Sequence, residues 1–471
     1  MATSFPVRVA HLFASVAIAC SALTSRAESP QPNILFIFAD DWGWGDLSCH
    51  GHPYVKTPNI DRLAAEGTDF QRFTVASGVC SPSRTAVMTG HFPARYAIDG
   101  HFAWVPSNAR RGMPDWLDPE APLLPRMLQS AGYRTAHFGK WHLANDMIPD
   151  SPSPGIYGYD AYGAFNCSGE QMPWYEDSAR AADFIRESNA AEKPFFINLW
   201  IHEPHTPFHT VPKYEWRFRH LENREDQIYA SVLSHADDRI GELLGLLDEL
   251  ELTENTLVIF SSDNGPARAS KPTELALQYD TATGAGWGIA GAKGITGGRR
   301  GYKAAIFEGG IGVPFLARWP GKIPAGAVDE HALISAVDLL PTFCEIAGAD
   351  LPDVYAPDGQ SVIDVLTGDR SLERREQPLF WKSNSAWPAP KDRPDHWVSW
   401  AVLKDQWKLV ANRDLDHFEL FDITDDVAEA TDLSKDNPTV VGDLLETLRE
   451  WQATLPERPS GDVFSSERDD L

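Results

Sequence analysis

Polar side chains follow four apolar runs, each short enough to be a β-strand. The first run is followed by Asp40 and Asp41, and the last by Asp263 and Asn264. Three carboxylates and an amide offer only hard oxygen ligands, which suit calcium or magnesium better than zinc. A lone Asp or Asn after a strand is more often a turn residue or a helix cap. The prediction of a metal site therefore depends on these strand ends lying side by side.

Basic residues follow the other two runs. Lys140 and His142 come after the second run, and His202 and His205 come after the third. A fixed ammonium charge binds anionic oxygens, and histidines transfer protons near neutral pH. Combined with a divalent cation, these groups are suited to the hydrolysis of an anionic ester.

A candidate nucleophile lies in the segment GVCSPSRTAVMTG, residues 78–90. Cys80 is followed by a proline two positions on and by Arg84 four positions on. The helical pattern that begins here places Cys80 at a helix N-terminus, where negative charge is favoured. The alternative is a buried cysteine that only packs, and the neighbouring Ser, Pro and Arg residues disfavour it.

Strand and helix patterns alternate along the first three quarters of the chain. Such alternation indicates an α/β fold with a large, mostly parallel sheet sandwiched by helices. Ligands of such a sheet bind beyond the carboxyl ends of its strands, which is where the polar residues above occur. The predicted strands are 33–39, 133–138, 195–201, 256–261 and 313–319, and the predicted helices are 59–66, 122–131, 176–188 and 225–250.

The sequence changes character after residue 368. Loops rich in Pro and Trp are followed by three closely spaced strand patterns, at 398–403, 407–411 and 418–421, and then by a helical pattern over 439–455. This order predicts a small antiparallel sheet with one helix. We therefore divide the chain into a signal segment (1–27), a catalytic domain (28–372) and a C-terminal subdomain (373–471).

The composition limits the possible partners. The 471 residues include 41 Lys and Arg against 67 Asp and Glu, which gives a formal net charge of −26. Nucleic acids and anionic membrane surfaces are disfavoured as partners, because both require a basic surface. An anionic substrate requires a local basic pocket that overcomes the overall negative field.

The first 27 residues have the pattern of a secretory signal peptide. A positive charge precedes an apolar stretch that is too short to span a bilayer, and Ser25 and Ala27 form a small-x-small cleavage site. We therefore expect an exported protein, periplasmic or secreted, with no membrane span. The alternative is a lipoprotein anchored through Cys20.

The segment CSPSRTAVMTG resembles the signature of the type I sulfatases, in which the cysteine of Cys-x-Pro-x-Arg is oxidised after translation to formylglycine. FADDWGWGDLSCHGHP and FSSDNGP are similar to the two metal loops of that family, and GKWHL is similar to its Lys-x-His element. PFFINLWIHEPHTP and GYKAAIFEGGIGVPFLARWPG are similar to its third basic segment and its late lysine loop. WAVLKDQWKLV and FELFDITDD resemble its C-terminal sheet. The resemblance covers nearly the whole chain, implies an alkaline-phosphatase-like fold, and is greatest to the branch of arylsulfatase A and N-acetylgalactosamine-6-sulfatase.

The resemblance implies a role for each matching residue. The implied calcium ligands are Asp40, Asp41, Asp263 and Asn264. The implied catalytic residues are Cys80, Arg84, Lys140, His142, His205 and Lys303. Of the two histidines in the third segment, His205 matches the family histidine before x-Pro, so His202 is expected to contact the substrate or to pack. A formylglycine-generating or sulfatase-maturating enzyme is an implied partner, since Cys80 must be oxidised.

The implied activity is that of a sulfuric ester hydrolase acting on a sulfated saccharide of galactose or N-acetylgalactosamine type. In the implied mechanism the hydrated aldehyde attacks sulfur, His205 and Lys303 assist the departing alcohol, and His142 then takes a proton so that sulfate leaves. Arg299 and Arg300 are expected to contact the glycan, the alternative being a solvated charged turn. Two other functions stay open: a phosphate or phosphonate ester hydrolase of the same superfamily, and a catalytically silent sulfated-glycan-binding protein.

Overall fold

The computed structural model describes residues 1–2 and 31–471, except 169–170, 207, 210–211, 268–277, 281–283, 288–293, 369–374, 376 and 384–393. The predicted signal segment beyond Met1 and Ala2, together with Cys20, lies outside the described residues. So does the proposed domain boundary at residue 372, which stays a prediction; Gln31–Leu471 forms one compact unit. Within the described residues, no helix has both the length and the apolar character required to cross a bilayer.

A mostly parallel sheet forms the centre of the molecule. In the described part of the chain it has eight strands in the order β8-β2-β7-β6-β1-β5-β3-β4, and only β7 runs antiparallel to its neighbours. The predicted α/β fold class is confirmed. The strands are β1 (Asn33–Ala39), β2 (Thr68–Phe70), β3 (Arg134–Lys140), β4 (Ala161–Phe165), β5 (Phe195–Trp200), β6 (Thr256–Ser262), β7 (Phe315–Arg318) and β8 (Ala327–Asp329).

Helices cover both faces of this sheet. Side chains alternate between the two faces of a strand, so Leu35 and Ile37 pack under α1, α5 and α7, whereas Phe36 and Phe38 pack in the core that includes α2, α4 and α9. Burial on both faces explains why β1 is an uninterrupted apolar run. The helices are α1 (Pro58–Glu66), α2 (Cys80–Thr89), α3 (Val105–Arg110), α4 (Leu124–Ser130), α5 (Asp177–Ala190), α6 (Pro212–Phe218), α7 (Arg224–Glu249), α8 (Glu308–Ile311), α9 (Leu339–Ala347), α10 (Ile363–Leu366) and α11 (Pro438–Gln452).

The C-terminal sheet is antiparallel, as predicted. Its described strands pair in chain order, and α11 packs against it through Trp451, whose ring stacks on Phe380 at 4.5 Å between centroids. The strands are β9 (Leu379–Lys382), β10 (Trp400–Lys404), β11 (Trp407–Ala411) and β12 (Phe418–Asp422). Further strand segments occur at Phe73–Thr74, Phe208–His209, Gln278–Asp280, Gly284–Trp287 and Ile334–Ser335.

Candidate active site

The two acidic strand ends meet because β1 and β6 are hydrogen-bonded neighbours in the sheet. The backbone N–H of Asp41 donates to Asp263 Oδ1 at 3.2 Å, and Asn264 Nδ2 donates to Asp41 Oδ1 at 2.7 Å. Asp40 lies in the same cluster, and all four side chains are buried. The four predicted oxygen donors are therefore brought together at the carboxyl end of the sheet.

Cys80 is the first residue of α2 and faces this acidic cluster. Its Sγ lies 3.5 Å from Asp40 Oδ1 and 3.5 Å from Lys140 Nζ. Burial raises the pKa of the Cys80 thiol to about 12, and the nearby carboxylate of Asp263 acts in the same direction. The thiol therefore keeps its proton at neutral pH and is a poor nucleophile as it stands.

Arg84 lies one turn further along α2 and is completely buried. Its Nε and Nη2 donate to Asp263 Oδ2 at 2.9 and 2.6 Å, and its Nη1 donates to the carbonyl of Lys140 at 2.8 Å. A guanidinium group that satisfies a carboxylate through two nitrogens fixes the geometry of both partners. Arg84 therefore joins α2 to the ends of β3 and β6.

Two lysines bring positive charge to the cluster. Lys140 Nζ, at the end of β3, lies 2.5 Å from Asp40 Oδ2, and Lys303 Nζ lies 2.6 Å from Asp41 Oδ1. Burial alone would lower the pKa of Lys303, but the carboxylate of Asp41 holds it above its ordinary value. Both ammonium groups are charged at neutral pH and lie where an anionic ester would meet them.

His142 has a free acceptor nitrogen in the buried site. Its Nε2 lies 3.0 Å from the carbonyl oxygen of Phe102, which can only accept, so Nε2 carries the proton. Its Nδ1 is buried, and no described residue gives it a hydrogen-bond partner. Burial and the charge of Lys140 hold the pKa of His142 well below its ordinary value. The neutral ring can therefore accept a proton at Nδ1.

His205 lies at the acidic cluster, and His202 packs against His205. The Nε2 atom of His205 is 3.8 Å from Asp41 Oδ2, and 27% of the His205 side chain is exposed. His202 packs with its ring centroid 5.6 Å from those of both His205 and Phe165. The preference for His205 over His202 stays a prediction.

The donor set fits a hard divalent cation. Asp40, Asp41, Cys80 and His205 offer ligand atoms that all lie within 4.8 Å of one another. Asn264 Oδ1 is buried, and no described residue donates a hydrogen bond to it, so this amide oxygen is available as a ligand. Carboxylate and amide oxygens dominate the cluster, which favours calcium over zinc.

Arg299 and Arg300 do not join this cluster. Arg299 is only 8% exposed, and its guanidinium lies 3.8 Å from the centre of the Trp44 ring. Arg300 pairs with Asp395 at 3.0 Å and with Glu419 at 2.6 Å. The charge of Arg300 is paired within the protein and Arg299 is buried against Trp44; the expected contact of these two residues with a glycan stays a prediction.

His101 is a neighbour of the site that the sequence did not single out. Its side chain is exposed, and its ring centroid lies 6.2 Å from that of His142. The next residue, Phe102, donates its backbone N–H to Ser81 Oγ at 3.0 Å, which holds this loop beside Cys80. A single histidine in a loop without a motif carries no signal that sequence reasoning can use.

Comparison with family models identifies two matches. The model described as "Sulfatase" matches residues 32–349, and that described as "N-sulphoglucosamine sulphohydrolase, C-terminal" matches residues 299–454. Among curated proteins, the chain is 34% identical to N-acetylgalactosamine-6-sulfatase of Sus scrofa, over 75% of this chain and 69% of that protein. It is 32% identical to arylsulfatase A of Homo sapiens, over 75% of this chain and 71% of that protein.

Solved structures agree with these matches. The crystal structure of Ps i-CgsB is 26% identical in sequence, with a TM-score of 0.74 over 93% of this chain and 96% of that chain. Its complex with k-i-k-neocarrahexaose gives the same TM-score at 25% identity, over 93% of this chain and 96% of that chain. The phosphonate monoester hydrolase of Agrobacterium radiobacter, at 21% identity and a TM-score of 0.62 over 90% of this chain and 95% of that chain, shares the fold. The chain thus belongs to the sulfatase family and is a sulfuric ester hydrolase.

Proposed function

We propose that this enzyme removes sulfate from a sulfated saccharide of galactose or N-acetylgalactosamine type, using formylglycine formed from Cys80 and a bound calcium ion. The observation that carries the proposal is the position of Cys80. Its Sγ lies 3.5 Å from both the Asp40 carboxylate and the Lys140 ammonium group, at the centre of the buried donor set.

Formylglycine solves the chemical problem that the buried thiol presents. With its pKa raised to about 12 by burial, Cys80 is a protonated thiol at neutral pH and does not attack sulfur itself. After conversion by a maturating enzyme, the residue at position 80 would offer two hydroxyls as a hydrated aldehyde. One would bond to sulfur as the S–O bond to the alcohol breaks, and loss of the proton from the second would re-form the aldehyde and expel sulfate by cleavage of the C–O bond.

The charged side chains bind and orient the sulfate group. We assign Lys140 and Lys303 to the sulfate oxygens, because both ammonium groups are fixed at the acidic cluster by short ion pairs. A calcium ion held by Asp40, Asp41, Asp263 and Asn264 would supply further positive charge to the site. Arg84 holds Asp263 in place by a hydrogen bond to its carboxylate, and it also donates to the backbone carbonyl of Lys140.

Proton transfers are assigned by position and protonation state. His142 Nδ1 is free to accept a proton from the residue at position 80, which suits the step that releases sulfate. Lys303 Nζ carries a proton at neutral pH and lies with His205 at the Asp41 side of the cluster. We assign these two groups to the oxygen of the departing alcohol, with Lys303 as the proton donor.

The substrate class rests on the relatives and on charge. Proteins named N-acetylgalactosamine-6-sulfatase are 32–34% identical to this chain over 75–81% of its length, and Ps i-CgsB was solved in complex with k-i-k-neocarrahexaose. We carry the galactose-type sugar over to this chain as the proposed substrate. Export through the N-terminal signal would bring the enzyme to extracellular sulfated polymers, in the periplasm or outside the cell.

A screen of defined substrates tests the proposal. Galactose 6-sulfate, N-acetylgalactosamine 6-sulfate, N-acetylgalactosamine 4-sulfate and glucosamine 6-sulfate oligosaccharides are compared for sulfate release, with phenyl sulfate and phenyl phosphate as a matched pair. We expect the highest kcat/KM on a galactose-type sulfate and a large excess of phenyl sulfate over phenyl phosphate hydrolysis. A preference for the phosphate, or for the glucosamine sulfate, would overturn the corresponding part of the proposal.

A further inference from the structure

The loop that carries Lys303 is attached to the C-terminal sheet at two points. We infer that Arg300 is a positioning residue for Lys303: its ion pairs with the C-terminal part of the chain keep the Lys303 ammonium group at Asp41. We call residues 299–307 the lysine loop. The inference rests on the catalytic role proposed above for Lys303.

The first attachment is Arg300 itself. Its Nε lies 3.0 Å from Asp395 Oδ1, and its Nη1 lies 2.6 Å from Glu419 Oε2 on β12. Its guanidinium carbon lies 3.9 Å from the centre of the Phe307 ring at the other end of the lysine loop. Two charge-assisted bonds and a cation–π contact hold this side chain in one orientation.

The second attachment is a buried ion triad at the start of α8. Lys408 Nζ, on β11, lies 2.8 Å from Glu308 Oε1 and 2.8 Å from Glu429 Oε1. The backbone N–H of Glu308 also donates to Glu429 Oε2 at 2.6 Å. Breaking such a triad would leave a buried charge without a partner, so the triad holds α8 in one position.

Between these attachments, backbone hydrogen bonds pass the constraint to Lys303. Gly309 N–H donates to the carbonyl of Arg300 at 2.6 Å, which closes the lysine loop. The backbone N–H of Lys303 donates to the carbonyl oxygen of Pro266 at 2.9 Å, and that of Ala304 donates to the carbonyl oxygen of Gly78 at 2.6 Å. The loop therefore contacts the segment before Cys80 and the segment after Asn264, so a shift of Arg300 would strain the bonds that hold Lys303 between them.

Arg300 has no described contact with the acidic cluster, so its effect on catalysis must pass through Lys303. A displacement of about 1 Å in a reacting group can lower a rate by about a hundredfold, so a small shift of Lys303 affects catalysis strongly. The inference therefore predicts a catalytic defect that exceeds the effect on stability and that disappears when Lys303 is absent.

A double-mutant cycle tests this prediction. Arg300→Met, Lys303→Ala and the double variant are assayed for kcat, KM and Tm on phenyl sulfate, whose departing phenoxide is basic enough to need a proton donor. Arg224→Met, which removes the 2.7 Å ion pair of Arg224 with Glu215, is the matched control. We expect Arg300→Met to lower kcat about tenfold when Lys303 is present and to leave it unchanged in the Lys303→Ala background. Arg300→Lys should recover part of the lost rate.

The outcomes separate the inference from the proposed function. If Lys303→Ala alone leaves kcat unchanged, the proposed role of Lys303 is wrong. If Lys303→Ala lowers kcat but Arg300→Met behaves like Arg224→Met, or lowers kcat equally in both backgrounds, the positioning role of Arg300 is wrong. Should Arg300→Met fail to fold, Glu419→Gln removes one of its ion pairs and takes its place in the cycle, with the same expected dependence on Lys303.

Discussion

Cys80 lies at the start of α2 with a carboxylate and an ammonium group each 3.5 Å from its sulfur. A helix N-terminus and Lys140 favour a thiolate, yet burial and the nearby carboxylates outweigh them and raise the thiol pKa to about 12. The same surroundings suit a neutral hydrated aldehyde that loses a proton only during the reaction. At the scale of one residue, these surroundings are the ones that the proposed modification of Cys80 requires.

Replacement of Cys80 by serine should separate attack from release. Cys80→Ser keeps one hydroxyl but has no second hydroxyl for expelling sulfate, so turnover should fall by about a thousandfold or more and a sulfated enzyme should accumulate. Intact-protein mass measurement after mixing with substrate detects that species. Cys49→Ser, at an exposed free cysteine, is the control that should keep full activity. Near-native turnover in Cys80→Ser would contradict the role of this residue.

The metal assignment predicts a loss of calcium when one ligand is changed. Asp263→Asn removes one of three clustered carboxylate charges, so both calcium content and kcat should fall together. Elemental analysis of the purified variant measures the metal directly. Asp237→Asn, at a buried carboxylate on α7 that caps α1, should retain the metal. A full complement of calcium in Asp263→Asn would show that Asp263 is not a ligand.

Motif residues were predictable from the sequence, and long-range partners were not. Asp40, Asp41 and Asp263 meet because two neighbouring parallel strands end at one edge of the sheet. Arg300 lies 95 residues from Asp395 and 119 residues from Glu419, and no local pattern relates them. An arginine in a glycine-rich segment is compatible with a contact to the substrate as well as with an ion pair inside the protein, and only the fold distinguishes the two.

At the scale of the elements, the longest strands of the central sheet were predicted and the shortest were missed. β1 and β6 have seven residues each and are buried on both faces, so their apolar runs are unmistakable. β2 and β8 have three residues each, too few to show any period, and neither was predicted. The helix α7 spans 26 residues with a long apolar stripe, and its predicted bounds are within a residue of those observed.

Asp46 joins three elements and should make the stability depend on pH. Its Oδ2 accepts from Gly43 N–H at 2.8 Å and from the Tyr229 hydroxyl at 2.7 Å, and its Oδ1 accepts from Ile295 N–H at 2.9 Å. Burial raises the pKa of Asp46 to about 7. The folded protein therefore binds this proton more tightly than the unfolded chain does, so protonation of Asp46 stabilises the fold.

The sign of the effect follows from that difference. The stabilisation is complete below roughly pH 4, the pKa of an unfolded Asp, and is lost as the pH rises through 7. The variant Asp46→Asn does not titrate, so its Tm should change less with pH over this interval than that of the unmodified protein. Thermal unfolding at a series of pH values provides the test. Parallel curves for the two proteins would contradict the raised pKa.

At the scale of the whole molecule, a strongly acidic protein holds three cationic side chains at its site. The formal net charge is −26, yet Arg84, Lys140 and Lys303 lie within the acidic cluster and are held there by ion pairs. An anionic substrate is therefore attracted by nearby positive charges although the net charge of the protein repels it. Added salt should screen the long-range repulsion more than the short-range attraction.

The family and the fold class were predictable because six motifs occur in order along the chain. The contacts between the C-terminal sheet and the lysine loop were not predictable, since they join residues far apart in sequence. Arg300 and the triad around Lys408 supply that connection. The second family model, which begins at residue 299, likewise spans the lysine loop together with the C-terminal sheet.

The central claim is that catalysis depends on formylglycine at position 80. The most direct measurement compares preparations made with and without a maturating enzyme, with the fraction of formylglycine in the peptide containing position 80 determined by mass spectrometry and sulfate release assayed on each preparation. We predict that specific activity is proportional to the formylglycine fraction and extrapolates to zero when that fraction is zero. Full activity in a preparation whose position 80 is entirely unmodified cysteine would contradict the account.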